Sequence, residues 1–219
     1  AQRRSDVAAM EAACDANTVA LIGSAPNYPF GTIDRIEELG ALAERRGLWL
    51  HVDACVGGFL SPFLSELGVD LPLWDFRVAG VTSISADIHK HGMAPKGASL
   101  LLLRDVALKQ HHRFESSAWA RGTYAAYTAQ GTRPGGAVAA AWAVMNHLGR
   151  SGYRDCARRI AEARAVIAGG VNDMAGLTCL PGNHAILVYR STDAALSIAK
   201  VASAMDARGW LVSRQVEPD

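Results

Sequence analysis

This sequence predicts an α/β fold built on a mainly parallel sheet with flanking helices, and three observations predict it. Apolar runs of strand length alternate with amphipathic helical stretches from Thr18 onward. Those runs are almost continuously apolar instead of alternating with polar residues, as in strands covered on both faces. Three of the runs lead into short segments rich in glycine, histidine, aspartate or proline. In open sheets of this kind the ligand crevice forms just outside the carboxyl ends of the strands.

The elements follow in order. DVAAMEAACDAN (6–17) has a helical pattern, TVALIGS (18–24) reads as a buried strand, and TIDRIEELGALAERRG (32–47) as an amphipathic helix with Gly47 at its end. LWLHVDA (48–54), VTSIS (81–85) and GASLLLLR (97–104) are the next strands. From Gly135 the chain turns helical, over 135–149 and again over 153–174. The run of small residues from Ala137 to Ala143 predicts a tightly packed helix, with Trp142 and Met145 in the core. The remainder, LTCLPGNHAILVYRST, a helix around 194–207 and GWLVS as a strand, reads as the start of a smaller α/β unit. The predicted organisation is therefore 1–134, part of a large sheet domain; 135–174, connecting helices; and 175–219, a truncated small domain. The chain opens with AQRRSD in place of methionine and closes on RQVEPD just after a strand-like run, so the expectation is a piece of a longer protein.

Composition narrows the function classes. With 219 residues, half of them hydrophobic, the chain can bury a sizeable core. A net charge of +1 gives no support to a nucleic-acid partner, and the arginines of RRSD (3–6) and ARRIAEAR (157–164) read as solvated helix faces. Cysteines 14, 55, 156 and 179 are scattered, without a CxxC pair or a histidine at ligand spacing. That pattern argues against a metal site or a disulfide scaffold and fits a reducing, cytoplasmic setting. No apolar run in the chain reaches bilayer-spanning length.

Chemistry concentrates in VTSISADIHKHGMAPKG (81–97), where a strand runs into a turn presenting Lys90 between His89 and His91. Upstream, the strand LWLHVDA ends in Asp53. A lysine and an aspartate, each just past its own strand, are the two side chains that pyridoxal phosphate chemistry requires. The lysine condenses with the cofactor's aldehyde, and the aspartate pairs with the pyridinium nitrogen and favours its protonated form. A surface lysine and a helix-capping aspartate would read the same way in isolation. Lys96, Lys109 and Lys200 lack this context. Cys55 reads as a small buried hydrophobe, and His51, on the same strand face as Asp53, as packed and hydrogen-bonded. Ser83 and Ser85 share a strand face and either donate to a ligand or satisfy backbone.

Four segments in this order and spacing decide between the readings: GSAPNYPFGTID (23–34), HVDACVGGFL (51–60), DFRVAGVTSISADIHKHGMAPKGAS (75–99) and GTYAAYTAQGTRPGG (122–136). The chain resembles the sphingosine-1-phosphate lyase family, within the group of pyridoxal phosphate decarboxylases, from about Thr18 to about Trp210. The resemblance implies a partial fold type I enzyme using pyridoxal 5'-phosphate, with Lys90 and Tyr124 catalytic. It implies a cofactor site of Asp53, Cys55, His89, Lys90, Gly131 and Thr132, with His89 at the cofactor phosphate and Cys55 against its ring. Gly131–Gly136 resembles a segment that reaches the partner subunit's phosphate, which implies a homodimer with shared sites; Arg133 there serves either a substrate phosphate or a structural ion pair. The implied reaction is cleavage of a phosphorylated long-chain amino alcohol, such as sphingosine 1-phosphate, to a fatty aldehyde and phosphoethanolamine. Amino-acid decarboxylation, of the tyrosine, aspartate or glutamate type, is the alternative, although those enzymes usually read DPHK where this chain has DIHK; a catalytically inactive remnant is a third reading. The portion before residue 1 would carry a phosphate loop, a ring-stacking residue and any membrane anchor. The chain departs from the lyase pattern at Phe30, where a histidine or tyrosine is usual, at His91 and Met93, where tyrosines are usual, and at Ala126-Tyr127.

Overall fold

A computed structural model describes residues 3–129 and 131–215. Its centre is a four-stranded sheet of β1 (Ala20–Ser24), β2 (Trp49–Asp53), β3 (Val81–Ala86) and β4 (Leu100–Leu103), in that spatial order. β1, β2 and β3 run parallel, and β4 returns antiparallel along the far edge. The register sets Ser24 beside Asp53 and Asp53 beside Ser85, so the loops leaving β1, β2 and β3 emerge on one edge of the sheet.

Helix α1 (Val7–Ala13) starts at Asp6, whose carboxylate accepts from the Ala9 amide. Helix α2 (Ile36–Arg46) forms because Ile36, Leu39, Leu42 and Ala43 recur at helical spacing and all become buried. Glu37 and Glu38 in its first turn and Arg45 and Arg46 in its last complement the helix dipole. Gly47 ends it in the left-handed region (φ 65°), where a side chain would be strained. The apolar stripe of α2 packs on Leu21, Leu50, Val52, Val81 and Ile84 of the strands, with Trp74 and Val78 closing the core. Leu39 is fully buried there, and its truncation to alanine would cost about 2–5 kcal/mol. Helix α3 (Ser61–Glu66) follows the turn after β2.

Beyond β4 come a 3₁₀ helix (Val106–His112) and a small antiparallel pair, β5 (Phe114–Ser116) and β6 (Tyr124–Ala126). The helical stretch α4 (Gly135–Asn172) is broken at Gly149 (φ 56°, ψ −173°), at the boundary the sequence predicted. A second antiparallel pair, β7 (Leu177–Cys179) and β8 (Tyr189–Ser191), precedes α5 (Ile198–Asp206).

Three expectations are corrected. β4 is not covered on both faces: Leu100, Leu101 and Leu102 are exposed, because the strand forms the sheet edge. At the alanine-rich start of α4 only Ala141 is buried, against Ile88 and Ala94, whereas Trp142 (70% exposed) and Met145 face outward. GWLVS forms no strand, since no neighbouring strand among the described residues pairs with it, and Trp210 and Leu211 are exposed.

Candidate active site

The turns after β2 and β3 meet. Lys90 Nζ donates to Cys55 Sγ at 2.9 Å and pairs with Asp87 Oδ2 at the same distance. Burial would lower the pKa of Lys90, but the thiol and the Asp87 carboxylate outweigh it and raise it, so the amine is held as an ammonium. Burial pushes the Cys55 thiol up, against the pull of Lys90, so this contact joins an ammonium to a neutral thiol. Burial also acts to raise the Asp87 carboxyl, yet the Ser99 hydroxyl and Lys90 hold it below the ordinary carboxylate range.

Asp53 ends a directional chain of hydrogen bonds. The Cys55 amide donates to Asp53 Oδ1 at 3.0 Å and the Ser85 hydroxyl donates to the same oxygen at 3.1 Å. With its proton committed to Asp53, Ser85 Oγ must accept from His51 Nε2, 3.3 Å away. His51 Nδ1 then accepts from the Ser83 hydroxyl at 2.8 Å, while Trp49 Nε1–H donates into Ser83 Oγ at 2.7 Å. This order defines a neutral Nε2–H imidazole, in keeping with burial, which lowers the pKa of His51. Burial would raise the Asp53 carboxyl, but the Cys55 and Ser85 hydrogen bonds prevail and hold it low, so Asp53 is a fixed anion. His51 is packed and hydrogen-bonded as predicted, and Ser83 and Ser85 are spent on it and on Asp53.

The Lys90 turn itself is held on several sides. His89 Nδ1 donates to the Ala98 carbonyl at 3.0 Å, which leaves Nε2, 3.6 Å from Asp87 Oδ2, as the ring atom able to meet a ligand. His91 Nδ1 donates to the Val56 carbonyl at 2.9 Å and so fastens the lysine turn to the Cys55 turn. The Tyr153 hydroxyl, from α4, donates to the Gly92 carbonyl at 2.8 Å; its ring stacks on Phe63 at 5.7 Å. Gly57 permits the turn after β2 to press against the loop after β1, since a Cβ there would lie 2.0 Å from the Ala25 carbonyl oxygen. Asp87, Ser99 and Tyr153 were not singled out from sequence. The spacing of Asp87 three residues before Lys90 in a tight turn was the available signal, whereas nothing local marked Tyr153.

Of the predicted residues, Lys90, Asp53, Cys55 and His89 come together. Tyr124, Gly131 and Thr132 do not join them: they are exposed, and among the described residues no hydrogen bond or ion pair links them to the lysine cluster. Tyr124 and Gly131 are neighbours of each other, a Cβ at Gly131 falling 4.0 Å from Tyr124 Oη. Phe30 packs under the Arg3 guanidinium, 4.3 Å from its ring centre.

This donor set fits pyridoxal phosphate. A lysine with an exposed amine, a fixed carboxylate anion for a ring nitrogen, and a histidine with one ring atom free for a phosphate stand at the carboxyl edge of adjacent parallel strands.

The comparisons agree with that chemistry. The chain is 40% identical to sphingosine-1-phosphate lyase of Oryza sativa over 214 residues and 41% identical to that of Arabidopsis thaliana over 216, covering 98% and 99% of its own length. It spans about 40% of the length of those two relatives. A solved sphingosine-1-phosphate lyase from Burkholderia pseudomallei superimposes with a TM-score of 0.92 at 41% identity, covering 99% of this chain and 49% of that one. A glutamate decarboxylase from Lactobacillus brevis shares the fold, with a TM-score of 0.80 at 22% identity. The pyridoxal-dependent decarboxylase conserved domain matches residues 9–180, well over half of the chain, and the protein belongs to that family of fold type I pyridoxal phosphate enzymes.

Proposed function

We propose that the protein is a pyridoxal phosphate-dependent carbon–carbon lyase acting on a phosphorylated long-chain amino alcohol such as sphingosine 1-phosphate, with a fatty aldehyde and phosphoethanolamine as products. The observation that carries this reading is identity of about 40% with lyases of that name along nearly the whole chain. When bound, pyridoxal phosphate supplies an electron sink for the pair released as a bond at the amine-bearing carbon breaks. The chain's own residues would prepare that event. Lys90 would tether the cofactor, and Asp53, kept anionic by Cys55 and Ser85, would hold a proton on the ring nitrogen. His89 Nε2 would donate to the phosphate, and Cys55 would lie against the ring. Tyr124 would take the proton of the substrate's 3-hydroxyl as the C2–C3 bond opens.

Gly131 and Thr132 lead into the N-terminus of α4, a setting suited to an anion. Because they and Tyr124 are exposed and apart from Lys90, the reading assigns them to the site of a second copy, in a homodimer with shared sites. Exposed Phe114, Trp119, Val138 and Trp142 along the same stretch support a covered surface there. Four free cysteines support work in the cytoplasm; among the described residues no helix is long and apolar enough to cross a membrane.

Amino-acid decarboxylation is the second reading. It is favoured by 34% identity, over 210 residues, to a probable L-tyrosine/L-aspartate decarboxylase of Methanothermobacter thermautotrophicus. One assay separates the two: the lyase releases aldehyde and phosphoethanolamine from the phosphorylated amino alcohol, and a decarboxylase releases carbon dioxide from an amino acid and leaves the lipid intact. Borohydride should fix the cofactor on the Lys90 peptide; fixation on Lys96, or none, refutes the site. Asp53→Asn should keep that label and lose turnover on the order of a hundredfold or more, the scale of a lost proton-holding group.

A further inference from the structure

We propose that His184 is a positioning residue that sets the spacing between the two turns carrying Lys90 and Cys55, acting through Ser61 on one side and His91 on the other. This rests on the reading of Lys90 as the cofactor's lysine. His184 lies on the segment between β7 and β8, and its ring is buried, at 1% exposure. Its Nε2 is 3.1 Å from Ser61 Oγ, across 123 residues of sequence, and Ser61 is fully buried as well. The pair is therefore sealed from solvent and cannot serve as a nucleophile and its base. Its contacts point instead at the site. A Cβ at Gly57 would lie 2.7 Å from Ser61 Oγ, so the hydroxyl presses directly on the turn that follows Cys55 and Val56. On the other side the His184 ring meets His91 edge to face, centroids 6.3 Å apart at 73°. His91 is the neighbour of Lys90 and is the residue that bonds the Val56 carbonyl.

The imidazole thus bears on the lysine turn through His91 and on the Cys55 turn through Ser61. Burial, with His91 and the Arg164 guanidinium nearby, pushes His184 down to about 3, so the buried ring stays uncharged at neutral pH. Its Nδ1 is buried without a protein partner among the described residues, a penalty an aliphatic side chain would avoid. A ring kept at that penalty is explained by the Ser61 hydrogen bond and the shape it presents to His91.

The test uses full-length protein carrying His184→Ala, His184→Gln or Ser61→Ala, read by hydrogen exchange of peptides and by the absorbance titration of the lysine-bound cofactor. Loss of the contact should speed exchange roughly fivefold in 54–58 and 87–92, the scale of one lost buried hydrogen bond, while the α2 peptide changes little. The midpoint of the cofactor titration should shift in His184→Ala, and His184→Gln, which can still donate to Ser61, should restore it. A uniform rise in exchange across all peptides, with the titration midpoint unmoved, would mean that His184 only stabilises the fold and would overturn the proposal. If His184→Ala does not fold, Ser61→Ala decides: unchanged exchange in both turns overturns it. Should wild-type protein bind no cofactor at Lys90, the catalytic reading fails, and the exchange data still judge the spacing role separately.

Discussion

Two stretches of the molecule carry predicted site residues, and they differ in what holds them. In the turns after β2 and β3, each polar side chain is tied to another part of the chain: Asp53 to Cys55 and Ser85, His89 to Ala98, His91 to Val56, Lys90 to Asp87. From β4 to the middle of α4, by contrast, Leu101, Phe114, Trp119, Tyr124, Val138 and Trp142 are exposed, and among the described residues no hydrogen bond or ion pair ties Tyr124, Gly131 or Thr132 to the lysine cluster. The first stretch gets its geometry from its own sheet. The second leaves several large apolar side chains exposed, the feature on which the proposed dimer contact rests. On the proposed shared-site reading, the first stretch builds its part of the site within the chain, and the second would act only after assembly.

That contrast can be broken at either end. The largest effect is expected in the exposed stretch: Tyr124→Phe should slow cleavage about a hundredfold with little change in KM, the typical contribution of a positioned acid or base. If Tyr124 acts on a second copy, mixing Tyr124→Phe with Lys90→Ala subunits should restore activity to the hybrid, measured by turnover; two inactive parents giving an inactive mixture would remove the shared-site reading.

Trp142→Lys comes next. It should weaken self-association by roughly tenfold or more, as for a buried aromatic anchor, and lower the mass seen by light scattering. An unchanged mass would mean that the exposed face of α4 lies outside the dimer contact.

A third prediction concerns pH and the well-tied stretch. His184 is depressed in the folded state from 6.5 to about 3, so below pH 6.5 the unfolded chain binds the extra proton and the native state is penalised. Stability should be fully present above pH 6.5 and fall between there and about 3, with a slope of up to ~1.4 kcal/mol per pH unit for one proton. Chemical denaturation at several pH values should show that slope reduced in His184→Gln; equal slopes would assign it to other groups. The smallest expected effect is Tyr153→Phe, which strands the Gly92 carbonyl and should destabilise by about 1 kcal/mol, seen as a modest drop in Tm and faster exchange of the lysine turn.

The sequence by itself determined what short-range physics controls. The helical spacing of Ile36, Leu39, Leu42 and Ala43, three and four residues apart, made α2, Gly47 ended it, Gly149 broke α4, and the apolar runs made β1 to β3. Lys90 and Asp53 were legible for the same reason, Asp53 closing β2 and Lys90 following β3 by four residues, and parallel pairing brings such positions to one edge. What depends on distant packing was not legible. LLLL predicts a buried strand as readily as an exposed edge, and small residues predict a packed helix whether or not anything covers Trp142. The direction of the Trp49–Ser83–His51–Ser85–Asp53 chain and the Ser61–His184 contact across 123 residues were decided only by tertiary structure, because a hydrogen bond's direction is set by which partners the fold brings within reach.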